Sequence, residues 1–143
     1  MVYQVFDLEK KRTLALKKVD LSNSDTAVLK GFRDEINLLI SLKDCKRVVR
    51  MIDYELRSTP SSDGRSKKRN LLIVMEKGDD DLATVIRSFQ KEGGAKLSPH
   101  MIRFYWQEMV KVVDEIHQRN IVHSDLKPVN FILVSGKFLL GKG

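Results

Sequence analysis

The sequence predicts an α+β fold, an antiparallel sheet carrying one helix and then the helical beginning of a second body. Three observations predict it. Two stretches near the N-terminus alternate apolar and polar residues with the period of two that a half-buried strand requires. Longer stretches further on place apolar residues at helical spacing. Breaks rich in Gly, Pro, Ser and Asp separate these elements.

In chain order, Val2 to Leu8 alternates, Glu9-Lys10-Lys11-Arg12 supplies a charged turn, and Thr13 to Val19 alternates again. This is the pattern of two antiparallel strands. Ser22-Asn23-Ser24-Asp25 offers helix N-cap residue types, whose short oxygens can accept from free backbone N–H groups. Val28, Leu29, Phe32, Ile36, Leu39 and Ile40 then keep helical spacing, predicting a helix over about residues 25–43. Val48 to Leu56 and Asn70 to Glu76 read as two strands flanking a polar loop, Ser58 to Asn70, which has no apolar period. Gly78-Asp79-Asp80 breaks the chain, and Leu82, Val85, Ile86 and Phe89 mark a short helix ending at Gly93-Gly94. Ser98-Pro99 starts a long helix, with Ser as the cap and Pro in the first turn. Its stripe of Ile102, Tyr105, Trp106, Met109, Val112, Val113 and Ile116 reads as core, and Trp106 as packing. Ile121-Val122 is strand-like, and Phe131 to Val134 and Lys137 to Leu140 suggest a hairpin turned at Ser135-Gly136.

Composition excludes several classes. The 143 residues suffice for one domain with one core. Hydrophobic residues at 42% and charged residues at 31% describe a globular chain, not a disordered one. Apolar runs such as Leu71 to Met75 fall far short of the roughly 20 residues of a membrane span, so no membrane partner is expected. Met1-Val2-Tyr3-Gln4 shows no signal-peptide pattern. The single cysteine, Cys45, cannot form an internal disulfide, and an intracellular compartment is expected. The net charge of +7 invites a nucleic-acid reading. The basic residues are dispersed, however, except for Arg65-Ser66-Lys67-Lys68-Arg69, which reads as a solvated loop sooner than as a nuclear-localisation signal. Nucleic acid is therefore not the expected partner. His100 and His117 have no Cys or His companions at zinc-site spacing.

Four strings carry chemistry. The most informative is Ile121-Val122-His123-Ser124-Asp125-Leu126-Lys127-Pro128-Val129-Asn130-Phe131. The second strand holds Leu14-Ala15-Leu16-Lys17-Lys18, where alternation with Ala15 favours Lys17 as the inward lysine. The first helix holds Phe32-Arg33-Asp34-Glu35-Ile36, where Glu35, bordered by Phe32 and Ile36, is preferred over Asp34. Leu72-Ile73-Val74-Met75-Glu76-Lys77-Gly78 follows, with Asp81 just after it.

Taken in order, these strings resemble the protein kinase family over essentially the whole chain. The resemblance implies an α+β, protein-kinase-like fold in truncated form. Residues 1–76 would be the small lobe, an antiparallel sheet with one helix and no Gly-rich loop. Residues 77–143 would be the hinge and the helical start of the large lobe through the catalytic loop. It implies ATP and Mg2+ as cofactors and protein hydroxyls as phosphate acceptors. Lys17 would bind the α- and β-phosphates, paired with Glu35. Met75 would guard the back of the nucleotide pocket, Glu76 and Gly78 would belong to the adenine-binding hinge, and Asp81 would contact the ribose. Asp125 would accept or orient the substrate hydroxyl proton, Lys127 would stabilise the γ-phosphoryl, and Asn130 would hold Mg2+. His123 would pack and hydrogen-bond within the loop.

Within the family, His-Ser-Asp in place of His-Arg-Asp, Met75-Glu76-x-Gly78 and Asp81-Leu82 resemble the monopolar-spindle checkpoint subgroup. That resemblance implies a dual-specificity Ser/Thr/Tyr kinase of the nucleus and cytoplasm, with kinetochore proteins among its partners. Ser124 cannot pair with a phosphorylated activation segment as an Arg would, so that form of switching is not expected. Two departures stand out. No G-x-G-x-x-G occurs, and Lys142 occupies the place of the Asp-Phe-Gly metal ligand counted from Asn130. The 143-residue polypeptide is thus expected to be marginally stable and nearly inactive alone. An incomplete gene model, with Gly141-Lys142 read through a splice donor, would produce such an end. A catalytically dead kinase-like scaffold that binds protein partners is the alternative.

Overall fold

The computed structural model of the chain describes residues 1–22, 24–60, 67–91 and 97–141. The expected cap residue Asn23, Arg65 and Ser66 of the basic cluster, the helix stop at Gly93-Gly94, and Lys142 lie outside the described residues. The chain divides into two compact units, Met1–Asp44 with Arg50–Lys77, and Cys45–Val49 with Gly78–Gly143. The sequence placed 45–49 with the first part. The structure groups it with the second, because its backbone pairs with the chain's last strand.

In the first unit, β1 (Val2–Asp7) and β2 (Arg12–Asp20) form the expected hairpin. Its turn is fixed by Asp7, whose carboxylate accepts from the N–H groups of Glu9 and Lys10, at 3.2 and 3.1 Å. β3 (Met51–Pro60) and β4 (Lys67–Glu76) complete a sheet of order β1-β2-β4-β3, all antiparallel. Helix α1 (Thr26–Ser41) begins at Asp25, whose carboxylate accepts from the Val28 N–H at 2.8 Å. Leu21, Ile36, Leu71 and Ile73 form the buried centre between helix and sheet, with Val19, Leu29, Phe32, Met51 and Met75 packed around it.

One expectation fails here. Ser58–Pro60 and Lys68–Asn70 are not loop; they extend β3 and β4 in register, Arg57↔Asn70 through Pro60↔Lys67. Their side chains are almost all exposed, so no apolar period marks them. Backbone pairing carries the extension, helped at its base by Leu21 N–H donating to Arg69 O at 2.7 Å and Arg69 N–H to Ser22 Oγ at 3.2 Å. The strand expected from Val48 accordingly starts at Met51, and Val48 instead bridges to Leu140.

In the second unit, a two-residue strand β5 (Asp80–Asp81), missed in the sequence, pairs with β6 (Phe131–Val134), and β6 with β7 (Lys137–Leu140). The β6–β7 turn is as expected. Ser135 (φ 48°) and Gly136 (φ 79°) both take the left-handed region, the pattern of a type I′ hairpin. Helix α2 (Leu82–Lys91) and helix α3 (Pro99–His117) pack beside this sheet. Ser98 caps α3 by accepting from the Met101 N–H at 3.3 Å. Val112, Ile116, Phe131 and Phe138 are buried, and Tyr105 meets Phe138 edge-to-face with centroids 5.4 Å apart.

The reading of the α3 stripe as uniformly core is corrected. Trp106 is 66% exposed and Ile102 54%. Only the Val112–Ile116 side and Tyr105 turn toward the small sheet. Trp106, Met109, Val110 and Val113, with Leu82, Ile86 and Phe131, instead line an apolar groove of about 530 Å³. Ile121-Val122 is also not a strand; the segment after α3 is irregular up to the short 3-10 turn Pro128–Asn130. Asn120, in the left-handed region at φ 58°, ends the helix there. Among the described residues no helix is long and apolar enough to cross a membrane.

Candidate functional site

In the first unit, β2 presents Lys17 on the face turned to α1, while its neighbour Lys18 is exposed. Lys17 lies in register with Ile73 on β4. Its Nζ sits 3.9 Å from Glu35 Oε1, and both side chains are about four-fifths buried, at 19% and 18% exposure. The helical period explains the choice of carboxylate. Glu35 precedes buried Ile36 and faces the sheet, whereas Asp34 is turned to solvent. A distance of 3.9 Å makes a charge pair rather than a direct hydrogen bond. Such a pair orients the ammonium and can still yield it to a stronger anion.

Met75 lies between Ala15 on one side and Met51 on the other, half-buried against the unit's core. Glu76 pairs with Leu14 and donates its N–H to Arg50 O at 2.9 Å, so that backbone donor is already used within the sheet. The chain leaves this unit after Lys77.

In the second unit, Gly78 has no room for a side chain. A methyl there would overlap Ile132 Cγ2 and crowd Leu133 O. Asp79 N–H donates to Leu133 O at 2.8 Å, holding the segment on β6. Asp81 is placed at the start of α2, where its carboxylate accepts from Thr84 N–H at 2.8 Å and Thr84 Oγ1 at 3.0 Å. Both of its oxygens serve as the helix cap, a role the sequence reading did not assign.

The segment from His123 to Asn130 forms one tight loop. Asp125 and Lys127 come together, Oδ2 to Nζ at 2.7 Å, and both remain exposed. The Lys127 hydrogen bond is the main reason the Asp125 carboxyl is held below its ordinary range. Asn130 is 3% exposed. Its Nδ2 donates to Asp125 O at 2.8 Å, and its own backbone is fixed twice, by Asn130 N–H to Lys127 O at 2.9 Å and by Gly141 N–H to Asn130 O at 2.7 Å. His123 Nδ1 accepts weakly from the Asp125 N–H at 3.4 Å, while its Nε2 is buried without a partner among the described residues. Ser124, at φ 64°, holds a left-handed conformation unusual for a residue with a side chain. Such backbone strain persists only where surrounding bonds over-determine it.

The chemistry of this set fits a hard cation at one point. Because the amide nitrogen of Asn130 is committed to the Asp125 carbonyl, its oxygen is the end left to ligate, and an amide oxygen suits Mg2+. Among the described residues no group of three or more His, Cys, Asp or Glu could hold a metal by itself. The remaining ligands would have to come from phosphate oxygens and water.

Sequence reasoning missed one charged group in the second unit. Arg47 pairs with Glu108 at 2.9 Å and Glu115 at 3.9 Å, and Lys111 also reaches Glu108 at 2.7 Å. Hydrogen bonds from Lys111 first and Arg47 second hold the Glu108 carboxyl below its ordinary range. The 108, 111, 115, 119 spacing along α3 was visible as i, i+3 and i, i+4 pairs. Nothing in the sequence pointed those side chains at residue 47. Cys45, beside them, is buried, and burial pushes its thiol up.

The chain is similar to known protein kinases. The protein kinase domain model matches residues 1–140. The serine/threonine-protein kinase mph1 of Schizosaccharomyces pombe is 36% identical over 140 residues, covering 98% of this chain and 19% of the relative. The serine/threonine-protein kinase MPS1 of Saccharomyces cerevisiae is 41% identical over 125 residues, covering 87% of this chain and 15% of the relative. The dual specificity protein kinase TTK of Mus musculus is 34% identical over 140 residues, covering 97% and 14%. The chain thus spans less than a fifth of the length of these relatives. With the family model matched from its first residue to within three of its last, the chain belongs to the protein kinase family.

Proposed function

We propose that these residues form the nucleotide-anchoring and catalytic-loop portion of a protein kinase that transfers the ATP γ-phosphate to Ser, Thr and Tyr hydroxyls. The observation that carries the proposal is the loop itself. An exposed carboxylate and an exposed ammonium lie 2.7 Å apart, and a buried amide is locked beside them. In-line phosphoryl transfer needs a hydroxyl-orienting carboxylate, a cation for the transferred group and an oxygen ligand for the metal, all close to one phosphate. Asp125, Lys127 and Asn130 fill these three roles.

Asp125 is ionised at neutral pH as any ordinary carboxyl is, and Lys127 favours the charged form further. It can therefore accept a hydrogen bond from an incoming hydroxyl and draw off its proton. Lys127 would turn to the phosphoryl group as negative charge gathers there. Lys17, steadied by Glu35, would hold the inner phosphates. Met75, Glu76 and Gly78 would border the base, and Asp81 would reach the ribose only by sharing oxygens that now cap α2. Mg2+, when bound through Asn130, would supply charge neutralisation.

The relatives named as MPS1 and as the dual specificity kinase TTK support a more specific assignment, a kinase of the spindle checkpoint with kinetochore proteins among its substrates, working inside the cell. As a 143-residue polypeptide the chain contains no G-x-G-x-x-G and no Asp-Phe-Gly. A kinase-like scaffold that binds protein partners without transfer activity is the second reading.

The test uses the longest natural product of the gene. Asp125→Asn should lower phosphate transfer to Ser/Thr peptides by about 10²–10⁴-fold, the usual worth of a positioned base, with Mg2+·ATP affinity nearly unchanged. Transfer undiminished by Asp125→Asn overturns the role given to Asp125. A wild-type product that binds Mg2+·ATP but transfers nothing establishes the scaffold.

A further inference from the structure

We propose that Arg47 is a positioning residue for Asn130, acting through the end of β7. This rests on the reading of Asn130 as a metal-holding group. The links are all within the second unit. The Arg47 guanidinium is clamped to α3 by Glu108 at 2.9 Å and Glu115 at 3.9 Å, and Lys46 N–H donates to Glu115 Oε1 at 3.2 Å. The segment's backbone then holds β7. Leu140 N–H donates to Arg47 O at 2.8 Å, and Val49 N–H donates to Leu140 O at 3.0 Å. The next residue, Gly141, donates its N–H to Asn130 O at 2.7 Å. From the guanidinium to the carbonyl of the candidate metal ligand, the path is one residue's backbone, one strand end and two hydrogen bonds.

The clamp has the features of a specific registering device. Arg47 offers a planar fork to two carboxylates rather than a point charge to one. Glu108 is nearly buried and is further neutralised by Lys111, so it is held in one place. Gly141 must come close to Ile132, since a methyl at Gly141 would lie 2.9 Å from Ile132 Cγ1. A shift of Leu140 would therefore be passed to Gly141 and Asn130 rather than absorbed. Arg47 itself is a positioning residue only, since no contact places it against Asp125, Lys127 or Asn130.

The test measures amide exchange and the Asn130 side-chain amide resonance in the 143-residue chain. Arg47→Ala should raise exchange at Val49, Leu140 and Gly141 by about tenfold and shift the Asn130 Nδ2 signal, with Thr84 and Asp79 changing less than about twofold. Should Arg47→Ala not fold, Arg47→Lys, which keeps the charge but not the fork, is read in the same way. As a second readout, Mn2+ titrated in the presence of ATP should bind the Ala variant more weakly, while metal-free ATP binds as before. Uniform acceleration of exchange across the unit, or no change at Gly141, overturns the proposal. Wild-type chain that binds no Mn2+·ATP removes the functional reading of Asn130, and the exchange result still decides the coupling.

Discussion

Gly78 lies where a single methyl has nowhere to go, and Gly78→Ala is the most discriminating packing test of this structure. The new Cβ would overlap Ile132 Cγ2, with Leu133 O at 3.3 Å and Ile132 Cβ at 3.5 Å closing the other sides. Gly78 has no positive φ, so the penalty is steric and not conformational. Overpacking costs typically ~1–3 kcal/mol. The upper part of that range applies, because the overlapped atom is a branch methyl attached directly to Ile132 Cβ and not the far end of a flexible chain. The expected destabilisation is about 2–3 kcal/mol, roughly a 30- to 150-fold shift toward unfolding. Ile132→Ala alone should cost about 2 kcal/mol, the low end for an isoleucine, since Ile132 is only partly buried. Together the two should not add. The space vacated by Ile132 Cγ2 takes the Gly78 methyl, and the double variant should recover about 1–2 kcal/mol relative to the sum. Urea unfolding of the four proteins, followed by circular dichroism, reads this cycle. A Gly78→Ala protein within about 0.5 kcal/mol of wild type, or strict additivity, refutes the close approach.

Other outcomes follow from single contacts. Asp125, depressed mainly by its Lys127 hydrogen bond, should titrate with a midpoint below 3.8 by carbon-detected NMR and move upward in Lys127→Ala; a wild-type midpoint at or above 3.8 contradicts the pair. Glu108 is likewise depressed, so its contribution to stability is fully present above its unfolded value, near 4.5, and is lost as pH falls through the lower folded value. Glu108→Gln should therefore flatten the acid limb of the stability profile, and an unchanged limb counts against the Arg47–Glu108–Lys111 group. Asp25→Ala removes the α1 cap and should cost about 1 kcal/mol in thermal unfolding, while Asp25→Asn should keep most of it. Phe138→Ala empties the middle of the second unit and should cost about 3–5 kcal/mol; a loss under about 1 kcal/mol would mean that Tyr105 does not pack there.

What the sequence made legible was local. The type I′ turn at Ser135-Gly136, the Ser98 cap and the α1 period each depend on residues within a few positions of one another, and the structure places them where expected. Glu35 over Asp34 is also a local decision, since one helical step separates the sheet-facing side from solvent. The failures have a common cause. Residues 58–60 and 68–70 are strands held by a partner strand, without a buried face to print a period in their side chains. Val48 left the strand assigned to it because Leu140, 92 positions later, offers it a bridge. Trp106 and Ile102 keep apolar spacing, yet the small sheet reaches only the other side of α3.

The candidate site divides in the same way into a fixed part and a yielding part, and the division suits the chemistry. Asn130 is buried, capped at both backbone ends and tied to Asp125 O, so its oxygen is aimed before any ligand arrives. Preorganised groups of this kind stabilise developing charge without reorganising at the moment of reaction. Asp125 and Lys127 are different. Their pair is short but exposed, and an exposed pair exchanges readily with water and other ions. A phosphate can therefore claim Lys127, and a hydroxyl can claim Asp125, without breaking a buried contact. Had this pair been buried like Asn130, separating it would leave an uncompensated charge in a poor dielectric, and the loop would resist its own substrate. Under the proposed roles, exposure of the Asp125–Lys127 pair, set beside burial of the Asn130 amide, would let one short segment both hold still and open.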